Sequence, residues 1–239
     1  MRPEDVDWRA IHSVDESWRR KIIGDINEAF VVPRYVELFY SYFGRDSALD
    51  VIELGAGTGE LSSRILKANE GQIARWTASE YFDEGVEWLR NKGFEAVKAS
   101  ACDTGFPDRR YDVSVSLDVM HHVPDQRKMA REMMRIAKGR CLLVESNGLS
   151  VLRKLMELTP GHRAAGERSF TPRGYRGFFE GHGYAIERFD VFPFLFPFRV
   201  PKRFLPALVQ FNRRIEGVPV ARWLCSSVAI YVEYETKAS

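Results

Sequence analysis

From residue 49 onward the chain alternates short apolar runs with longer stretches whose apolar positions recur at helical spacing. The runs cover 49–54, 74–79, 95–99, 111–117 and 140–144, and the helical stretches between them 60–69, 83–91 and 125–137. Short runs each followed by a helix are the pattern of βαβ units, which build a parallel sheet. Val51, Ile52, Val113, Val115, Leu142 and Leu143 lie in near-continuous apolar stretches, as strands covered on both faces require. Two later runs, 184–191 and 226–235, complete the set, the second alternating Val228, Ile230, Val232 and Tyr234 with Ala229, Tyr231 and Glu233. The pattern predicts an α/β fold: a doubly wound, mostly parallel, seven-stranded sheet flanked by helices.

Outside this core the signals are helical or irregular. Over 13–43, Ile22, Ile23, Ile26, Phe30, Val36, Leu38 and Phe39 predict one or two amphipathic helices, interrupted near Pro33. Residues 149–158 read as a helix, and Thr171-Pro172 sets an N-cap with proline at the first helical position for a helix over 175–180.

Composition narrows the partners. The 239 residues leave room for one sizeable domain, and 35 Lys and Arg against 33 Asp and Glu give a net charge of +2. No polyanionic partner follows from that balance, and nucleic-acid binding would need a local patch. The charged start Met1-Arg2-Pro3-Glu4-Asp5 argues against a secretory leader, and no apolar run reaches the ~18 residues of a membrane span. Cys102, Cys141 and Cys225 lie far apart without metal-ligand spacing, and read as thiols in a reducing cytoplasm. The expectation is a cytoplasmic protein with no bound metal.

The candidate chemistry begins at Glu53-Leu54-Gly55-Ala56-Gly57-Thr58-Gly59-Glu60, a strand end, a glycine turn and a helix start. Glycines let the backbone turn sharply and approach a ligand where a Cβ would collide, and the helix start offers N–H groups to a negative end. A dinucleotide site wants G-x-G-x-x-G, but position 60 is Glu60, a like charge where a pyrophosphate would approach. The observed G-x-G-x-G preceded by Glu53 suits a zwitterionic ligand better, Glu53 holding an ammonium group directly or through water. A turn that binds nothing is the alternative.

This segment resembles motif I of the class I S-adenosylmethionine-dependent methyltransferases, and the similarity continues to about residue 145. The resemblance implies S-adenosylmethionine as cofactor, held through Glu53, Gly55, Ala56, Gly57 and Gly59. It implies that Glu80, closing the second strand beside Tyr81, binds the ribose hydroxyls, where the alternative is a charge capping the next helix. In Ala101-Cys102-Asp103, Asp103 matches the family's contact to the adenine amine, with a backbone N–H near Cys102 at the ring; a plain turn before Thr104-Gly105 is the alternative. Leu117 and Asp118, ending the fourth strand, are expected to border the methionine part.

His121 and His122 follow in Val119-Met120-His121-His122-Val123-Pro124-Asp125. An imidazole there could take a proton from an attacking hydroxyl or amine, which makes both catalytic candidates. The His-His-Val-Pro sequel also recurs across the family in members of different chemistry, so a positional role stands beside the catalytic one. Family members that methylate nucleic-acid bases resemble one another in an Asn/Asp-Pro-Pro-aromatic segment after the fourth strand. Leu117-Asp118-Val119-Met120 is nothing like it, which argues for a small-molecule acceptor and against nucleic acid.

The resulting division is a single domain over 1–239: a helical cap at 1–47, a cofactor-binding core at 48–146, and an acceptor side at 147–239. Asn147 and Gly148 stand at the correct sheet edge for the acceptor. The stretch Phe192-Pro193-Phe194-Leu195-Phe196-Pro197-Phe198-Arg199 continues through Lys202, Arg203, Arg213 and Arg214. Its prolines argue for a loop, which lines an apolar acceptor pocket, rests on an anionic membrane surface through 192–214, or simply covers the sheet. The leading expectation is methyl transfer to a hydrophobic or aromatic acceptor such as a lipid, isoprenoid, quinone-like ring or polyketide. Beside it stand a protein or polar-metabolite methyltransferase and a non-catalytic cofactor-binding subunit, with a nicotinamide oxidoreductase disfavoured by Glu60.

Overall fold

The computed structural model of the protein describes residues 29–30, 32–160, 163, 168–179, 184–188, 201–219, 221 and 225–234, with the side chains of 152, 156 and 184–188 left aside. The strands are β1 (Leu49–Leu54), β2 (Ile73–Glu80), β3 (Glu95–Lys98), β4 (Val113–Leu117), β5 (Arg140–Ser146), β6 (Tyr184–Arg188) and β7 (Ser227–Glu233). They form one sheet in the order β3-β2-β1-β4-β5-β7-β6. The first five run parallel, and β7 lies antiparallel between β5 and β6. Neighbours β1 and β4 are not consecutive in sequence, so the winding reverses between them. Open sheets of this kind bind ligands beyond the carboxyl ends of the strands at that reversal.

The helices are α1 (Val32–Phe43), α2 (Glu60–Ala68), α3 (Asp83–Asn91), α4 (Gln126–Ile136), α5 (Val151–Glu157), α6 (Pro172–Phe178) and α7 (Leu205–Glu216). Alternation along each strand sends side chains to two apolar layers. Val51, Val113, Val115 and Leu142 meet residues of α1, α2 and α3 on one face. Ile52, Leu54, Leu143 and Ile230 meet Met129, Met133 and Tyr175 of α4 and α6 on the other. Capping follows the expected chemistry: Asp125 accepts the Lys128 N–H at 2.9 Å, and Thr171 the Gly174 N–H at 3.1 Å.

Pro33 stands in the first turn of α1, where a missing N–H costs no intrahelical bond. The rest of the 13–43 reading, up to residue 28, lies outside the described residues, as do 189–200. Residues 202–216 are not a loop: one turn of 3-10 helix, Lys202–Phe204, leads into α7, with Pro206 again in the first turn and no proline beyond it. Helix α1 is fixed to the sheet by rings, Tyr42 stacking on Tyr231 at 4.7 Å and Phe39 packing on Trp76 at 5.7 Å. Such pairs add about 0.5–1.5 kcal/mol each beyond their burial. Among the described residues, no helix is long and apolar enough to cross a membrane.

Candidate functional site

All three glycines of the turn after β1 take positive φ, 74° at Gly55, 55° at Gly57 and 67° at Gly59. Their reasons differ. A Cβ on Gly55 would stand 2.6 Å from Val119 Cγ1, and one on Gly59 would stand 2.6 Å from Leu89 Cδ2 and 2.9 Å from the Phe94 ring. A Cβ on Gly57 would meet nothing within 4 Å. Gly55 and Gly59 let elements of the protein close on one another, whereas Gly57 faces open space. The turn is hung from β2, the N–H groups of Gly55 and Ala56 donating to the Ser79 carbonyl at 3.0 and 2.9 Å.

Glu80 ends β2 against this turn. It is 3% exposed. Oε2 accepts the Gly57 N–H at 2.9 Å and Oε1 the Tyr81 N–H at 2.7 Å, with a further backbone bond from Phe82. Glu80 thus ties down the chain leading into α3 and, through Gly57, the glycine turn. Burial raises its pKa, and the three N–H donors pull against that rise. Glu53 lies inside rather than on the rim, its Oε2 accepting Ser62 Oγ at 2.5 Å and Trp76 Nε1 at 3.0 Å. Burial pushes it up to about 7, the two side-chain bonds oppose this, and the Glu80 charge adds to it.

Beyond the carboxyl ends of β2 and β3 opens a cavity of about 480 Å3, lined by Tyr81, Phe82, Asp83, Glu84, Lys98, Ala99, Ser100, Asp103, Thr104 and Gly105. Tyr81 and Asp103 thus share one hollow. Asp103 is exposed, 3.8 Å from Lys128 Nζ. Cys102 does not line the cavity; its thiol points to the Asp125 carbonyl at 3.4 Å, and burial raises its pKa. Sequence reasoning missed Phe82 and Ser100, although each stands within two residues of a strand end that it had marked.

The end of β4 carries the second half of the site. Leu117 is half-buried, and Asp118 takes a left-handed φ of 57° while Oδ2 accepts the Tyr35 hydroxyl at 2.8 Å. A 3-10 turn, Met120–His122, follows. Glu145, at the end of β5 and 0% exposed, governs that turn. Its Oε1 accepts the Val119 and Met120 N–H groups at 2.8 and 2.6 Å, and its Oε2 lies 2.6 Å from His121 Nδ1. Burial alone lowers the His121 pKa, but the Glu145 charge and hydrogen bond outweigh it, so the net shift is upward. His122 is half-buried, its ring 4.0 Å from that of His121.

Sequence reasoning missed Glu145 and Tyr35. Glu145 had a signal, an acid closing an otherwise apolar strand; Tyr35 had none, being 83 positions from its partner. Donor atoms of Asp118, His121 and Glu145 gather within 4.8 Å. Two ligands of one small metal ion stand roughly 3.3 Å apart, so the 2.6 Å between Nδ1 and Oε2 is that of a hydrogen bond. Asn147 is tied up structurally rather than offered to an acceptor: its amide donates to the Cys225 carbonyl and accepts the Leu149 N–H. Gly148 likewise serves packing, since a Cβ there would stand 2.6 Å from the Phe170 backbone.

A glycine turn at the first crossover, an acid closing β2 and a hollow between β2 and β3 stand on a Rossmann-like sheet. Residues 52–144 match the family described as a methyltransferase domain. This matched segment, from β1 to β5, is similar to that of the class I S-adenosylmethionine-dependent methyltransferases. It is 31% identical over 105 residues, 43% of its length, to a Mycobacterium tuberculosis (strain H37Rv) protein bearing the name "Probable S-adenosylmethionine-dependent methyltransferase", of which this covers 36%. Over 96 residues it is 26% identical to the 27-O-demethylrifamycin SV methyltransferase of Amycolatopsis mediterranei, covering 37% of this chain and 34% of that one. The chain thus spans about a third of the length of these curated relatives. In fold it is similar to the plantazolicin methyltransferase BpumL, solved with S-adenosylhomocysteine, at a TM-score of 0.63 and 13% identity, over 98% of this chain and 92% of that one.

Proposed function

We propose that the protein binds S-adenosylmethionine across the carboxyl ends of β1, β2 and β4 and transfers its methyl group to a small hydrophobic or aromatic acceptor. The observation that carries the donor half is Gly57, a left-handed residue whose missing Cβ faces open space beside the Glu80 carboxylate. A carboxylate offers about four acceptor sites. The backbone N–H groups of Gly57, Tyr81 and Phe82 take three, which leaves capacity for a ribose hydroxyl. Tyr81 and Asp103 across the neighbouring hollow suit an adenine ring and its amine, and Glu53 beneath the turn suits the ammonium. Leu117 and Asp118 border the reacting end.

When bound, S-adenosylmethionine supplies an activated methyl group for in-line displacement, which needs alignment and exclusion of water more than proton transfer. Glu145 and His121 hold the 3-10 turn that walls the site, and His122, half-buried on that turn, is assigned the proton of an acceptor hydroxyl or amine. Support for an apolar acceptor comes from α5, which leads away from β5 with Val151, Leu155 and Leu158 exposed at helical spacing. The rifamycin and plantazolicin enzymes named above act on small molecules, in keeping with that reading.

Calorimetry with S-adenosylhomocysteine and with NAD tests the donor: heat with the first alone is expected, and heat with NAD alone sinks the proposal. Incubating the protein with labelled donor and fractionated extracts tests the acceptor. Label confined to proteins or polar metabolites removes the hydrophobic-acceptor half and leaves the donor half standing.

A further inference from the structure

Helix α7 turns its apolar side chains away from the protein. Phe204, Phe211 and Val218 are 50%, 48% and 48% exposed. They stand seven residues apart: Phe211 is in α7, Phe204 closes the 3-10 turn before it and Val218 follows its C-cap. Since Phe204 and Gly217 keep right-handed helical dihedrals, the three fall near one line, with exposed Ala207 and Arg214 between them. The opposite side carries Val209, Asn212 and Glu216. Val209 packs on the core layer beneath α1, and Glu216 accepts Arg34 at 2.7 Å. Asn212 is 0% exposed, and among the described residues neither its amide nitrogen nor its oxygen has a hydrogen-bond partner. A helix that merely covers a soluble core buries its apolar stripe and shows its polar one. Here a fully buried amide points inward and two phenylalanines point outward, the arrangement of a helix with a second apolar surface to meet.

We propose that this outer face of α7 docks on an anionic lipid surface. The apolar line runs parallel to the helix axis, so the helix enters an interface lying flat. The cations flank the line. Lys202 and Arg203 stand at its start, the Arg203 guanidinium 4.8 Å over the Phe204 ring, and Arg214 lies along it. The acid of the 201–219 stretch, Glu216, is on the inner side with Arg34. A second copy of the chain is a poorer occupant, because a two-fold contact through this face would set Lys202, Arg203 and Arg214 against their own equivalents. Helix α7 is also tied to the site through its inner side: of two consecutive residues of α1, Arg34 reaches Glu216 of α7 and Tyr35 reaches Asp118 at the end of β4. Delivery of a lipid-borne acceptor to that edge would rest on the acceptor reading above; the docking itself does not.

The test is flotation of the full chain with vesicles of phosphatidylcholine alone and of phosphatidylcholine mixed with phosphatidylglycerol. Binding to the mixed vesicles is expected, with weak retention by the neutral ones. Phe204→Ser with Phe211→Ser lowers partitioning at least about tenfold. Lys202→Gln, Arg203→Gln and Arg214→Gln together lower binding to the mixed vesicles by about fivefold per charge and leave the neutral ones unchanged. Circular dichroism and heats with S-adenosylhomocysteine on the same preparations report the fold and the cofactor site separately. A wild-type chain that floats with neither vesicle overturns the proposal, as does a phenylalanine variant that floats as well as the wild type. Light scattering that finds a dimer dissolved by the phenylalanine substitutions assigns the face to self-association instead.

Discussion

Gly57 donates its N–H to Glu80 Oε2 at 2.9 Å, joining the glycine turn after β1 to the carboxyl end of β2. One carboxylate thereby sets the height of the turn and borders the proposed ribose site.

Substitution of Glu80 should therefore damage stability and binding together. Glu80→Ala leaves three backbone N–H groups without their acceptor, at about 1–3 kcal/mol of stability. Glu80→Gln keeps one oxygen, turns an amide toward a backbone donor, and removes the charge that hydroxyls bind best. S-adenosylhomocysteine affinity should fall ten- to a hundredfold in Glu80→Gln, on the order of one or two charged hydrogen bonds. Unfolding curves and calorimetry measure the two effects; unchanged affinity in a folded Glu80→Gln would assign the residue to the turn alone.

The glycines separate packing from ligand approach. Gly55→Ala meets both a left-handed backbone and Val119 at 2.6 Å, which should cost about 2–3 kcal/mol of stability. Gly57→Ala meets the backbone strain alone, about 1 kcal/mol, because nothing stands within 4 Å of its Cβ. Its S-adenosylhomocysteine affinity should nonetheless drop tenfold or more, on the order of one steric conflict. Full affinity in Gly57→Ala would mean that no ligand passes over this residue.

The sheet was legible because burial on both faces forces near-continuous apolar runs, and Val51–Ile52 or Leu142–Leu143 have no other use. The glycine turn was legible because its demands are local. What stayed hidden was long-range. Tyr35 meets Asp118 and Glu145 meets His121 only after the sheet has formed, and neither pairing leaves a spacing in the chain. Helix α7 was hidden for another reason. Pro201 and Pro206 read as loop residues, yet a proline in the first turn removes no intrahelical bond. Glu53 was read as a ligand-holding acid; its burial was hidden, since its bonds to Ser62 and Trp76 depend on the packing of α2 and β2.

That burial gives Glu53 a pH signature. Its pKa rises from 4.5 to about 7, so the folded state resists ionisation. Stability is full below the unfolded value and is lost as pH climbs between the two, by about 3 kcal/mol in all. A ligand ammonium beside the carboxylate favours the ionised form, so S-adenosylhomocysteine affinity should rise from about pH 6 to about pH 8 with proton release on binding. Glu53→Gln should flatten that rise and be less destabilised by alkaline pH. Calorimetry in buffers of different ionisation enthalpy measures the proton; affinity independent of pH would place the ammonium elsewhere.

The Glu145–His121 pair predicts the opposite trend. Its imidazolium is favoured in the fold, so the His121 pKa lies above its unfolded value, and the pair's contribution is fully present below about pH 6.5. It is lost as pH rises through the folded value, when the buried carboxylate is left with the Val119 and Met120 N–H groups. Glu145→Gln replaces the carboxylate by an amide that can accept those same N–H groups but cannot balance a buried cation. Removing one partner of a buried pair costs about 3–5 kcal/mol when the other stays charged. The variant should therefore be least stable relative to the wild type near pH 6, and the gap should narrow by pH 9 as His121 turns neutral in both. Melting temperatures at the two ends of this range measure it. Parallel curves for variant and wild type would mean that His121 is neutral throughout, and that Glu145 acts solely through the two backbone N–H groups of the 3-10 turn.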